Sequence, residues 1–367
     1  MGPTFFVWTV LASLIFVSVS AFNGRNAEPA KTFIVDLDDP PMQRWQKVVL
    51  SAAVDASYYK QGIDKLLKAA LSSEALVELV EVIAKDIEKF IPQPFADEIR
   101  GISQATGIPL GDVVIANIIY DVSAFGSSGN KACTSIVTAD KSGKIYHGRN
   151  LDYEDPEFLK NLTIQVDFHQ NGKSLFMATT YLGYVGVITG SRHGAFSISG
   201  DERDSGEWWQ NLIAVAEKSD ITFFHERMIL EKCTNFKEAL TEAMSTPTIA
   251  PVYYIIGGIK PKEGAIVVRN AHTLANVTML GMDQTHPWYL VETNYDPWKA
   301  PPASDDRRDA AIHAMNRVGQ DEMDAEMLYK VLSVPLVFNK DTTYTTVMSA
   351  ADSSVYRTMI RWDGPED

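Results

Sequence analysis

Cysteine is scarce in this chain: Cys133 and Cys233 are the 2 cysteines among 367 residues. That excludes a disulfide-built scaffold and leaves at most one bridge, between those two thiols. Basic residues are also in deficit, 33 Lys and Arg against 47 Asp and Glu, for a formal net charge of −14. A polyanion requires a basic patch, and none is present, so a nucleic-acid partner is excluded. The 7 histidines do not fall at metal-ligand spacings. No glycine-rich phosphate loop occurs either, so neither a metal nor a cofactor is expected. Internal repeats and low-complexity tracts are lacking as well, and the glycines at 183, 186, 257 and 258 read as turn and strand glycines.

What is present begins with one long apolar run. Phe5 to Phe22 is uncharged and ends in Val19-Ser20-Ala21, small residues suited to signal-peptide removal after Ala21. The run also approaches the roughly 20 residues of a membrane-spanning helix, but no basic cluster follows it as a stop signal. Residues 1–21 are therefore expected to be a signal peptide, with entry to the secretory route. In that setting Asn161-Leu162-Thr163 and Asn276-Val277-Thr278 become acceptors for N-glycans, which places Asn161 and Asn276 at the surface.

The remaining chain divides by pattern. Pro40 to Phe125 carries apolar residues three and four apart, the helical period, with Leu76, Leu79, Val80, Ile83 and Ile87 on one stripe. Helices are predicted before Pro92-Gln93-Pro94, over Phe95 to Ala105, and from Ile108 onward. Beyond Cys133 strands take over. Leu162 to Phe168 and Ser174 to Thr180 flank Asn171-Gly172, a strong hairpin signal. Further strands are predicted over Val185 to Thr189, Ala195 to Ser199, Tyr253 to Gly257, Ala265 to Arg269 and Trp288 to Thr293. Helices are predicted over Ile221 to Met244 and Asp324 to Leu332. Hairpins interleaved with helices indicate an α+β fold of antiparallel sheets covered by helices.

One candidate for chemistry stands out. Cys133 opens a run of strand formers and is followed across a Lys-Ser-Gly turn by Arg149 and Asp152. A thiol of pKa about 8.5 needs a base or a neighbouring positive charge to react, and Arg149 offers the charge. Asp152 can orient a donor or hold an ammonium group. An isolated strand cysteine is more commonly a small buried apolar side chain, and spacing alone does not decide between the two. His147 reads as a structural histidine.

The chain from Cys133 onward resembles the acid ceramidase and N-acylethanolamine-hydrolyzing acid amidase family of N-terminal nucleophile hydrolases, within the choloylglycine hydrolase group. The resemblance is carried by CTSIV at Cys133, HGRNLDY at His147 to Tyr153, GYVG at Gly183 to Gly186 and SGDERD at Ser199 to Asp204. It continues in ETNYDPW at Glu292 to Trp298, DDRR at Asp305 to Arg308 and YTTVMSA at Tyr344 to Ala350. It implies a four-layer αββα sandwich and self-cleavage between Ala132 and Cys133. The products would be a helical N-terminal α-subunit, residues 22–132, and a catalytic β-subunit, residues 133–367. It also implies roles: Cys133 the nucleophile with its freed α-amino group as base, Arg149 near both, and Asp152 the acceptor for the amine. Asn294 would donate to the oxyanion; Glu202 and Arg307 occupy further active-site positions. A disulfide to Cys233 would consume the nucleophile, so Cys233 becomes a spare buried thiol.

The family hydrolyses fatty amides to a fatty acid and an amine. Here Trp208-Trp209-Gln210-Asn211 after SGDERD and the scarcity of cysteines resemble the N-acylethanolamine branch. Acid ceramidase is the alternative, and a lipid-binding relative that never cleaves is a second. Glu154-Asp155-Pro156-Glu157 departs from the family's Pro-Phe-Gly loop at the pocket mouth. The resemblance and the acidic composition fit a lysosomal lumen. Holding a thiolate at a pH of about 5 requires lowering the thiol by roughly 3.5 units, near 5 kcal/mol, with Arg149 and the new ammonium as the cations at hand. Fatty amides reside in membranes or micelles, so a peripheral lipid surface is the expected partner besides the substrate. Leu66, Leu67 and Leu71 are the candidate apolar collar.

Overall fold

The computed structural model describes residues 27–53, 55–70, 87–123, 132–153, 156–203, 220–302 and 305–362. The signal segment, the stripe from Leu76 to Ile83, the approach at Gly126 to Asn130, the tryptophans 208 and 209, and the pair Glu154-Asp155 lie outside them. So do the side chains of Leu66, Leu67 and Leu71.

Two sheets stack face to face between helices. The six-stranded sheet has the order β1 (Ala27–Pro29), β14 (Arg357–Arg361), β13 (Thr342–Met348), β4 (Ile145–Asp152), β3 (Ala132–Ala139), β12 (Tyr289–Glu292). The eight-stranded sheet runs β11 (Leu274–Met279), β10 (Gly264–Arg269), β9 (Val252–Gly257), β8 (Phe196–Glu202), β7 (Thr189–Arg192), β6 (Lys173–Tyr181), β5 (Thr163–Gln170), β2 (Thr32–Asp36). Neighbours pair antiparallel except β2 and β5, which are parallel. Asn171 and Gly172 both hold positive φ, 52° and 70°, the mirror-image turn that matches strand twist and closes the β5–β6 hairpin.

Alternation along β3 shows how the layers form. Ile136 faces outward into a cluster with Met315 and Leu328, whereas Val137 faces inward against Tyr253 and Ile255. By the same period of two, Cys133 and Ser135 point between the sheets. The outer helices there are α9 (Arg307–Val318) and α10 (Ala325–Val331). The other sheet is covered by α7 (Thr222–Lys232) and α8 (Phe236–Ser245), and by α4 (Phe95–Thr106) and α5 (Leu110–Ser123) from the N-terminal part. Shorter helices are α1 (Gln46–Ser51), α2 (Ala56–Ala70), α3 (Ile87–Phe90) and α6 (Glu157–Leu162).

Several expectations are corrected. The N-terminal part is not wholly helical: β1 and β2 lie at one edge of each sheet, and their pattern was too short to register. Val185 to Ile188 are outside the strand that begins at Thr189. The helical stretch from Ile221 is two helices, because Asn235 accepts from the Glu238 backbone N–H and caps a new start. Arg307 opens a helix that the charged DDRR cluster concealed. Asn161 is exposed on α6, where its amide donates to the Tyr58 hydroxyl, and Asn276 is half-buried on edge strand β11.

Candidate active site

Cys133 enters at the second residue of β3, with its sulfur between the sheets and only 5% of the residue exposed. Its neighbour in register on β4 is Leu151, and Ser135 pairs with Arg149, so Arg149 stands one inward position further along. That offset lets the guanidinium lie over the sulfur. Arg149 Nη2 donates to Cys133 Sγ at 3.2 Å and to the Gly200 carbonyl at 2.9 Å. Nη1 donates to the Ile188 carbonyl at 2.5 Å and to Thr189 Oγ1 at 2.8 Å. A fully buried cation fixed at four points is a positioned charge rather than a solvated one.

The other residues surround the backbone of Cys133. Its N–H donates to Asn294 Oδ1, and its carbonyl accepts from Arg307 Nη1. Arg307 also donates to the Thr293 carbonyl at 2.9 Å and to both carboxylate oxygens of Asp305 at 2.6 Å. Asn294 holds positive φ, 71°, a conformation asparagine tolerates, and its Nδ2 donates to the Glu202 carbonyl at 2.8 Å. Asp152 is buried at the end of β4, accepting from Thr342 Oγ1 at 2.7 Å and Asn339 Nδ2 at 2.9 Å, with Arg307 Nη1 at 3.9 Å. Arg149 therefore serves the sulfur, while Asn294 holds the N–H of Cys133, Arg307 holds its carbonyl, and Asp152 stands beside Arg307. Glu202 lines the cavity beside them.

His147 is elsewhere. Its Nδ1 and Nε2 are held by Ser197 and Ser199 hydroxyls at 3.1 and 3.0 Å, and burial pushes it down to about 3, so it stays neutral.

The electrostatics correct one expectation. Burial pushes the Cys133 thiol up to about 11 despite Arg149, with Asp201 and Asp152 adding to the rise. In the uncut chain the Cys133 nitrogen is an amide, so the ammonium that would share the work with Arg149 does not yet exist. Burial likewise raises Asp152 to about 6, although Arg307, Thr342 and Asn339 favour its anion.

Sequence reasoning missed Asp201, which is fully buried with Oδ1 at 3.5 Å from Arg149 Nη2. The signal was the alternation Ser197, Ser199, Asp201, one polar face of β8 aimed at the other sheet. It also missed Asn339 and Thr342, brought to Asp152 from almost two hundred residues away. Cys233 is a buried free thiol, as is Cys133. Among the described residues there is no cluster of His, Cys, Asp and Glu able to hold a metal.

A cleft enclosing about 780 Å³, counting the part open to solvent, leads to the sulfur. Tyr59, Ile63 and Ala116 line it from the N-terminal part, Phe158, Leu159 and Leu162 from α6, and Tyr184, Ile188 and Phe223 from the catalytic part.

Comparison with known proteins bears on this geometry. Residues 133–320 match the family model of linear amide C–N hydrolases, choloylglycine hydrolase family. N-acylethanolamine-hydrolyzing acid amidase of Mus musculus is 42% identical over 331 residues, covering 90% of this chain and 88% of its own. The chain belongs to the choloylglycine hydrolase family of linear amide C–N hydrolases. It is an amide hydrolase.

Within this family, acid ceramidase of Homo sapiens is 34% identical, covering 92% of the chain and 87% of its own length. A solved structure of the Caenorhabditis elegans N-acylethanolamine-hydrolyzing acid amidase ortholog is 38% identical with a TM-score of 0.55. It aligns over 63% of this chain and 98% of that one. Residues 28–91 match the model of the beta subunit of N-acylethanolamine-hydrolyzing acid amidase. That description gives the word beta to the segment before the thiol.

Proposed function

We propose that this amide hydrolase cuts N-acylethanolamines such as palmitoylethanolamide, releasing a fatty acid and ethanolamine in an acidic lysosomal lumen. It does so after cutting itself between Ala132 and Cys133. The observation that carries the reading is the cleft: its walls are aromatic and aliphatic side chains, and its polar groups gather at the end where Cys133, Arg149, Asp152 and Glu202 stand. Its form suits a long apolar acyl chain ending in one polar amide.

In the cut enzyme the thiolate beside Arg149 attacks the amide carbonyl, while the α-nitrogen of Cys133, next to Asn294 Oδ1 and with Asp152 assigned as its acceptor, passes a proton to the departing amine. Water then hydrolyses the thioester. Asn294 Nδ2 already serves the Glu202 carbonyl, so its second hydrogen is the one left for the oxyanion. The similarity to the mouse amidase, 42% against 34% for human acid ceramidase, favours the ethanolamide over ceramide. Entry through a signal peptide, N-glycans at Asn161 and Asn276, and contact with a lipid surface belong to the same reading.

The test is mass spectrometry of the protein held at a pH of about 5 with palmitoylethanolamide and palmitoyl ceramide in separate vessels. The expected result is a cut before Cys133, and faster loss of the ethanolamide. Cys133→Ala should remain one polypeptide and inert. Hydrolysis by an uncut chain, or by Cys133→Ala, would remove the N-terminal-nucleophile mechanism.

A further inference from the structure

Arg149 spends its charge on two rivals. Its Nη2 is 3.2 Å from the Cys133 sulfur and 3.5 Å from Asp201 Oδ1, and all three side chains are shut between the sheets. Asp201 is held in that position from one side only. Ser135 donates to Oδ1 at 2.9 Å, while Oδ2 is buried and has no hydrogen-bond partner among the described residues. An ionised carboxylate with one oxygen unsolvated is costly, whereas a carboxylic acid there loses little.

We propose that Asp201 is a positioning residue that ties the reactivity of Cys133 to acidity: ionised, it shares the charge of the fixed Arg149 guanidinium, and protonated, it leaves that charge to the sulfur. The proposal rests on the reading of Cys133 as nucleophile. The groups facing Asp201 are Ser135 from β3, Arg149 and Asp152 from β4, Glu292 from β12, Glu226 from α7 and Arg307 from α9. His147 reaches it indirectly, through the Ser199 and Ser135 hydroxyls. Two of these neighbours are cations and three are carboxyls. Burial outweighs Arg149 and Ser135 and pushes Asp201 up to about 6, so the proton arrives in the weakly acid range. Asp201 in turn contributes to the rise of the thiol, which its neutral form would not do. Glu226 fits the same design: neither oxygen has a hydrogen-bond partner among the described residues, and burial holds it well above the carboxylate range.

The variant that separates charge from shape is Asp201→Asn, which keeps the size and cannot ionise. Alkylation of Cys133 in the self-cleaved protein by iodoacetamide, read by peptide mass spectrometry between a pH of about 4 and about 9, reports the thiolate without needing turnover. The expected result is a midpoint about one unit lower, and so about tenfold faster alkylation on the rising limb. The ratio of amide hydrolysis at neutral to acid pH should rise by a similar factor. Ser135→Ala is the second variant. It retains the carboxyl but removes the bond that favours its anion, and should move both readouts the same way by a smaller factor. Midpoint and ratio unchanged, or moved the other way, in whichever of the two variants folds overturn the role of Asp201. Turnover by Cys133→Ala would instead overturn the nucleophile on which it rests.

Discussion

Arg149 shows how one residue is committed by its surroundings. Its two terminal nitrogens make four hydrogen bonds, two of them to the backbone carbonyls of Ile188 and Gly200, so its position is fixed. Lysine has the charge without the planar fork and cannot bridge those carbonyls and the sulfur together. Arg149→Lys should therefore lose about 100-fold or more in kcat/KM, the scale of removing a positioned charge from a reacting centre. Its melting temperature should fall as well, because two buried carbonyls lose a donor. Near wild-type kcat/KM in Arg149→Lys would show that point charge alone suffices. The residue itself was legible in the sequence, in HGRNLDY after the turn. Its partners were not, since Ile188, Thr189 and Gly200 are ordinary strand and loop residues until the second sheet folds over them.

At the scale of elements, the N-terminal part is built into the catalytic part. β1 extends the six-stranded sheet and β2 the eight-stranded one, while Asn117 of α5 donates to the Gly183 carbonyl and accepts from the Val185 N–H, at 2.9 and 2.8 Å. The centre of the contact is Glu98 on α4. It is fully buried and accepts from Arg227 of α7, from Arg44 at 2.9 Å and from Trp45 Nε1 at 2.7 Å. Removing one partner from such a node leaves buried charge uncompensated, at a cost of about 3–5 kcal/mol. Glu98→Ala should accordingly lower the unfolding free energy, read from a denaturant titration, by that amount, and after the proposed self-cleavage the two parts should separate on size exclusion where wild type elutes as one. Unchanged stability in Glu98→Ala would mean that Arg44 and Arg227 find water or other acceptors. The helices of this region were readable from apolar spacing; their strands were not, because β1 and β2 are 3 and 5 residues long and half-exposed.

For the whole molecule, buried carboxyls set how stability depends on acidity. Asp152 and Asp201 are raised to about 6 and Glu292 to about 8, in each case chiefly by burial. A carboxyl whose folded value exceeds its unfolded one holds its proton longer in the native state. It contributes stability in full below the unfolded value of about 4, and that contribution disappears as the pH rises through the folded value. His147 acts oppositely: lowered to about 3, its contribution is complete above the unfolded value near 6.5 and is lost as the pH falls toward 3. Glu226 and Asp220 are raised likewise and His193 is lowered likewise, so five raised carboxyls against two lowered imidazoles tilt the balance toward acid. The melting temperature should be higher at a pH of about 5 than at about 8, and Glu292→Gln should flatten the difference. A protein equally stable at both values, by scanning fluorimetry, would show that these carboxyls relax into contact with water.

Local pattern by itself determined a good deal. Periods of two and of three to four residues, with Asn171-Gly172 between strands, were sufficient for the α+β class and for much of the order of elements, because each is set by neighbours within a few residues. The motifs around Cys133, Arg149, Asp152, Asn294 and Arg307 were sufficient to pick out residues that the fold brings together. Only the tertiary structure decided which part of Cys133 each partner serves, and that Asp201 stands within reach of the guanidinium. Those are distances between strands far apart in the chain, and no local pattern encodes them. The thiol's behaviour belongs to the same category. A sequence shows the arginine beside the cysteine, but the desolvation that outweighs it arises only when two sheets close over both.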